Sequence, residues 1–191
     1  MKETEQRILD AAMRVFGRDG VSGATTREIA RVARVNEVTL FRHFRNKNEL
    51  LRQMVLCSAR QYDLIFAEAS VKSRAEFRKT VRNFAKAYQM KLRSHEDLVR
   101  TFIGELKRHL KLSRRLFVEG SKNSRLRFID YLKSAQKAGL IRKDIDPVAA
   151  TDAFGGMMMT GVLRRPLTES YYSLDHYFDT CVDLFLKGIE R

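Results

Sequence analysis

The chain is 191 residues long, 44% hydrophobic and 31% charged, which suffices for a real core and excludes disorder as the default. No apolar run reaches the length of about 18 residues that a spanning helix needs, and the opening MKETEQRILD lacks the apolar stretch and cleavage site of a secretory signal, so a soluble cytoplasmic protein with no membrane partner is expected. The formal net charge of +14 is unevenly spread, residues 72–143 holding 21 Lys and Arg against 6 Asp and Glu; this implies either a polyanionic partner or a solvated helical face.

Two prolines, Pro147 and Pro166, and ten glycines leave long helices intact, and apolar spacings of three and four recur where period-two runs do not. An all-α protein is predicted. The first helix runs from about Thr4 to Phe16, with Ile8, Leu9, Ala12, Val15 and Phe16 on one face, and ends in a turn punctuated by Gly17, Gly20 and Gly23. Thr25 caps a short second helix, where Glu28 can complete a capping box, and Ile29, Val32 and Ala33 form its apolar side. Arg34, Val35 and Asn36 make a three-residue turn, and Asn36 caps a third helix from Glu37 to Phe44. Two short helices joined in this way form a helix-turn-helix candidate.

Asn46 caps a fourth helix predicted to reach about Ala69, and the box Ser73-Arg74-Ala75-Glu76 opens a fifth, with Phe77, Val81, Phe84, Ala85, Tyr88 and Leu92 on one side. Leu98 to Leu110 gives a sixth, Gly120 to Asn123 reads as a bend, and Leu126, Phe128, Ile129 and Leu132 mark a seventh that Gly139 terminates. Asp146-Pro147 starts an eighth helix, limited by Pro166, and a ninth spans about Leu174 to Ile189. The boundary falls near Lys47, giving a three-helix head (residues 1–46) and a roughly six-helix body (47–191). Cys57 and Cys181 lack any CxxC or Cys/His spacing and read as small core residues. Polar groupings at His176, Asp179 and Asp183, and at His95-Glu96-Asp97, fit helix starts and solvated faces better than a metal or acid/base site. No catalytic residue, metal or cofactor is expected.

The stretch Glu5 to Leu51, above all TTREIARVARVNEVTLFRHFRNKNELL, resembles the amino-terminal domain of the tetracycline-repressor (TetR) family of transcriptional regulators. The first helix ends in Phe16 before a glycine turn, Thr25-Thr26 opens the second, Thr39-Leu40-Phe41 lies in the third, and His43-Phe44 is followed by Lys47. The resemblance implies a helix-turn-helix head on a ligand-binding and dimerisation body, acting as a homodimer on double-stranded operator DNA and answering to a small-molecule effector, without enzymatic activity. It also implies that Thr26 and His43 hold phosphates, that Arg27 reaches a guanine or a phosphate, and that Lys47 meets the DNA backbone. Two positions depart from the family pattern. Phe41 stands where Tyr is common and has no hydroxyl to donate, and Arg34 stands where Gly is common, at a cost of about 1–2 kcal/mol if that residue is left-handed.

The physics of the head agrees with this likeness. The second helix of a helix-turn-helix enters the major groove, which assigns reading to Glu37, Val38, Thr39 and Arg42 while Leu40 and Phe44 pack with Ile29 and Val35. Glu37 can accept from a cytosine amino group or complement the helix dipole. Thr25, Asn36 and Phe41 complete the predicted DNA contacts. In the body, Phe77, Val81, Phe84, Tyr88, Phe102, Leu106, Phe128 and Tyr131 either line an effector cavity or form packed core. Ala153, Gly156, Met157, Thr160, Gly161, Phe178, Val182 and Phe185 are the candidate dimer interface, with an ordinary intramolecular core as the other reading. The basic middle segment, densest at Lys107, Arg108, Lys111, Arg114 and Arg115, suggests an anionic or acyl effector, or a solvated face. The competing function is a non-specific basic binder of nucleic acid or anionic surfaces.

Overall fold

The computed structural model describes residues 3–59, 66, 69, 71–94, 96, 99–100, 110–164 and 172–191. Eight helices cover most of them: α1 (Glu3–Gly23), α2 (Thr26–Ala33), α3 (Glu37–His43), α4 (Lys47–Ala59), α5 (Arg74–Ser94), α6 (Leu110–Lys137), α7 (Pro147–Arg164) and α8 (Leu174–Ile189). Among the described residues the one pairing of extended backbone is an antiparallel bridge between Ile141 and Glu190, so the chain is all-α as expected. The described residues fall into two compact units, one drawn from residues 1–59 and 95–121, the other from 60–94 and 122–191.

In the first unit, α1 packs on α2 and α4, and α2 on α3. Ile8, Leu9, Ala12, Val15 and Phe16 of α1 meet Ile29 and Ala33 of α2, Leu40 of α3, Phe44, and Leu50, Leu51 and Met54 of α4 in one buried core. Helices as short as α2 and α3 are marginal alone in water. Burial sustains them here, at about 1.5–3 kcal/mol for each large side chain removed from water. Their starts follow the predicted caps. Glu28 N donates to Thr25 Oγ1 at 3.1 Å, Val38 N to Asn36 Oδ1 at 2.9 Å, and Glu49 N to Asn46 Oδ1 at 2.9 Å.

The predicted end of the first helix at Phe16 is corrected. Helical backbone continues through Gly17, and the break falls at Gly20, whose φ of 75° and ψ of 173° lie where only glycine is comfortable. Gly17 has no such conformation to adopt, so it stays in the helix. The bend predicted at Gly120 to Asn123 is likewise absent, because α6 runs unbroken from Leu110 to Lys137. One glycine without a proline lowers helix propensity by about 1 kcal/mol, which flanking turns can offset.

In the second unit, α8 packs on α7 and α5, and α5 on α7. Glu76 N donates to Ser73 Oγ at 3.2 Å, Val148 N to Asp146 Oδ1 at 2.8 Å, and His176 N to Ser173 Oγ at 3.2 Å, so local capping again fixes where helices begin. Gly139, at φ 76°, follows the end of α6 as predicted. Phe77, Val81, Phe84, Phe128, Ile129, Leu132, Phe154, Met158, Phe178 and Phe185 form the core. Leu126, one of the residues that mark this helix, is 44% exposed; at 100° per residue it lies about 200° around the helix from Phe128. Cys181 is buried and free. The predicted sixth helix, Phe102, Leu106, Lys107, Arg108, His95, Asp97, and the predicted reach of the fourth helix beyond Ala59 lie outside the described residues, apart from isolated positions. The side chains of Cys57, Lys111, Arg114 and Arg115 lie outside them too.

Candidate nucleic-acid interface

Helix α3 is short because its cap, Asn36, and its last turn, closed by the bond from Phe44 N to Leu40 O at 2.9 Å, stand only eight residues apart. Leu40 and Phe44 are 0% and 2% exposed and anchor it from within. That anchoring turns Val38 (68% exposed), Phe41 (46% exposed) and Arg42 outward, with Thr39 half-buried beside them. A valine exposed to this degree contributes little to the fold, whereas an apolar contact suits a thymine methyl group in the major groove. The turn preceding α3 holds Arg34 at φ 56° and ψ 45°, the left-handed region, with its N–H donating to Arg31 O at 3.1 Å. The strain anticipated for a non-glycine residue there is therefore present.

At the start of α2, Thr25, Thr26 and Arg27 lie together. Thr25 Oγ1 accepts from Glu28 N, Arg27 is exposed, and Thr26 Oγ1 donates to Glu37 Oε1 at 2.6 Å. The last bond joins the start of α2 to the first residue of α3. Neither sequence alternative for Glu37 includes it, and no local signal across 11 residues indicates it. His43 is half-buried against Phe44, with ring centroids 6.3 Å apart. Lys47 Nζ donates to Val21 O at 2.8 Å and to Ala24 O at 2.9 Å, securing α4 to the carbonyl end of α1. It thus has an internal role that the sequence does not reveal.

A further network ties α1 to α2. Arg31 Nε donates to Glu28 Oε2 at 2.7 Å, and Arg18 Nη2 to Glu28 Oε1 at 3.0 Å, while Arg18 also pairs with Asp19. The hydrogen bonds from Arg31 and then Arg18 hold the Glu28 carboxyl down at about 2. This use of the Glu28 carboxylate replaces the second half of the predicted capping box.

Of the predicted effector residues, Phe77, Phe84, Tyr88, Phe128 and Tyr131 are packed rings, whereas Phe102 and Leu106 lie outside the described residues. Phe84 lies 4.6 Å from Phe128 and 6.1 Å from Tyr88 between centroids, and Phe77 stacks on Tyr131 at 5.9 Å. An open hollow of about 590 Å³ lies elsewhere, on the outer side of α5, lined by Arg74, Ala75, Arg78, Lys79, Arg82 and Asn83. Its arginines are engaged, Arg78 with Glu190 at 2.6 Å and Arg82 with Asp183 at 2.6 Å. Asp183 therefore belongs to an ion pair, and among the described residues no cluster of three His, Cys, Asp or Glu could hold a metal.

The candidate dimer residues divide. Phe178, Val182 and Phe185 are 2–5% exposed within the single chain, Phe185 lying 4.6 Å from Phe154. They belong to its own core, the second of the two readings. Gly161 is covered by Tyr177, whose ring atoms would stand 2.7 Å from an added Cβ. Ala153 and Gly156 are exposed, and Met157 and Thr160 half-buried, on the outer side of α7.

The profile of the tetR family of bacterial regulatory proteins matches residues 8–54, and that of the AefR-like transcriptional repressor C-terminal domain matches residues 75–188. The chain belongs to the TetR family. Members of this family are DNA-binding regulators and not enzymes. The TetR chain is 46% identical over 55 residues to the HTH-type transcriptional regulator YvkB of Bacillus subtilis, and 51% identical over 63 residues to SrpR of Pseudomonas putida. These alignments cover 29% and 33% of this chain and 29% of each relative. In fold, the TetR chain is similar to the fatty acid degradation regulator FadR of Bacillus halodurans, with a TM-score of 0.82 and 20% identity over 100% of this chain and 99% of that one. It is similar too to the TetR family transcriptional regulator PfmR of Thermus thermophilus, with a TM-score of 0.70 and 19% identity over 97% and 100%. Among the described residues no helix is long and apolar enough to cross a membrane.

Proposed function

We propose that this TetR-family chain is a repressor that binds a pseudo-palindromic operator as a homodimer and is released by a small-molecule effector. The carrying observation is α3: a capped helix with Leu40 buried beneath it and Val38 68% exposed on it, beside Thr39 and Arg42. Glu37, Val38, Thr39 and Arg42 read bases, while Thr25, Thr26, Arg27, Asn36, Phe41, His43 and Lys47 set the register on phosphate and sugar. Orphan N–H groups at the start of α2 suit a phosphate. The reading head is residues 1–46, its core closed by Leu50, Leu51 and Met54 of α4, and the effector and dimer body lies within residues 47–191.

The dimer forms through the outer side of α7, at Ala153, Gly156, Met157 and Thr160, where small residues permit close approach of a second copy. The effector enters among Phe77, Val81, Phe84, Tyr88, Phe128 and Tyr131 by parting rings that are packed in the free chain, and the excess of cations between residues 72 and 143 favours an anionic or acyl molecule. Effector and operator then weaken each other to the same degree.

Selection of bound sequences from a random duplex pool, at near-physiological salt, tests the reading. A pseudo-palindrome is expected and supplies the probe for effectors that dissociate the complex. Salt-sensitive binding without enrichment would instead identify a non-specific basic binder.

A further inference from the structure

We infer that Glu37 couples phosphate anchoring at Thr26 to the identity of one base in each half-site. The carboxylate holds the Thr26 hydroxyl in the free protein and releases it where a base offers an amino group in its place. This inference rests on α3 being the helix that enters the major groove.

A threonine hydroxyl has a single hydrogen. In the free chain that hydrogen is committed to Glu37 Oε1 at 2.6 Å, a short bond to a carboxyl oxygen. A phosphate oxygen arriving at Thr26 needs the same hydrogen and meets a carboxylate at close range, so hydroxyl and carboxylate cannot both keep their free-state arrangement. Lys47 presents the opposite case. It has three hydrogens, donates two to Val21 O and Ala24 O, and can meet a phosphate with the third while giving up nothing, so it carries no sequence information.

The other acids near this surface are held by arginine. Glu28 is gripped by Arg31 and Arg18, and Asp19 by Arg18. Glu37 instead bonds a neutral hydroxyl, and it occupies the first turn of α3 next to Val38, the most exposed large apolar side chain described in the molecule. Once displaced by a phosphate, its carboxylate is satisfied by an exocyclic amino group, that of cytosine or adenine, whereas guanine and thymine present only acceptors there. A site with the wrong base leaves a desolvated carboxylate beside a phosphate and is rejected.

The 191-residue chain, its Glu37→Gln variant, and Thr26→Val and Thr26→Ser variants in wild-type and Glu37→Ala backgrounds are compared by random-pool selection and by titration of the selected duplex. Wild type is expected to prefer cytosine or adenine over guanine or thymine at one symmetric position by about tenfold or more, and Glu37→Gln to reduce that preference below about threefold while the other positions keep theirs. A glutamine both donates and accepts, so it no longer excludes acceptor-only bases. Thr26→Val is expected to cost little affinity in the wild type, where the hydroxyl must first be freed, and about tenfold more in the Glu37→Ala background, with Thr26→Ser restoring wild-type behaviour in both. Thermal unfolding is followed for each variant. A merely structural bond would instead lower the unfolding midpoint and weaken all sequences equally. An unchanged base profile in Glu37→Gln, or an equal cost of Thr26→Val in the two backgrounds, overturns this inference alone. Absence of any enriched sequence overturns it together with the reading of α3.

Discussion

Lys47 Nζ lies 2.8 Å from the carbonyl oxygen of Val21, so the first residue of α4 is bonded to the end of α1 across 26 positions of sequence. With Ala24 O as its second acceptor, one ammonium neutralises two carbonyls at the negative end of a helix. Replacing Lys47 by Ala should therefore have two effects. Urea unfolding should show a loss of about 1–2 kcal/mol from the broken charged hydrogen bonds. DNA binding should weaken for every sequence, and the slope of log affinity against log salt should fall by about two units, one for each subunit of the proposed dimer, which a salt titration measures.

Arg34 occupies a left-handed backbone conformation, at φ 56° and ψ 45°. Arg34→Gly should remove about 1–2 kcal/mol of steric strain while adding back some unfolded-state entropy, for a net gain of about 0.5–1 kcal/mol. Arg34→Ala keeps a Cβ and should show no such gain. Chemical denaturation of the two variants decides the matter, and a loss of stability in Arg34→Gly would mean that the guanidinium itself supports the turn.

Glycines on α7 should respond oppositely to alanine. A Cβ at Gly161 would lie 2.7 Å from the Tyr177 ring, whereas nothing lies within 4 Å of one at Gly156. Tyr177 also donates from its hydroxyl to Met157 O at 2.9 Å, which limits how far its ring can retreat. Gly161→Ala should destabilise the chain by about 1–3 kcal/mol. Gly156→Ala should leave the fold intact or slightly improve it, and its effect should appear instead in sedimentation equilibrium of the proposed dimer.

Lys91, on the half-buried side of α5, is pushed down to about 8 by removal from water. In the unfolded chain its ammonium titrates near an ordinary lysine value of about 10.4. Between these two values the unfolded chain holds the proton and the folded one does not, so this lysine makes stability rise as pH increases from about 8 towards 10. Side-chain NMR titration of Lys91 should show the lowered midpoint, and Lys91→Met should remove its share of the alkaline rise in unfolding midpoint.

Short-range features were decided within a few residues of chain, which is why they could be read directly. Thr25, Asn36, Asn46, Ser73 and Asp146 cap helices where their side-chain oxygens meet a backbone N–H two or three positions on. Apolar spacing likewise placed Leu9, Phe16, Leu40, Phe77 and Phe128 inside. The same local logic misjudged Gly17 and Gly120, because a glycine permits a break without requiring one.

Sequence alone thus determined the all-α class, the helix-turn-helix and most helix starts, since each depends on neighbours along the chain. Tertiary structure decided which partner a side chain takes among several of equal chemistry. It gave the Thr26 hydroxyl to Glu37, Glu28 to Arg18 and Arg31, and Lys47 to the end of α1, and it drew Phe178, Val182 and Phe185 into the chain's own core. Hydrogen bonds and ring contacts act over a few ångströms in space, and the distance between two helices is fixed only when the core between them has packed.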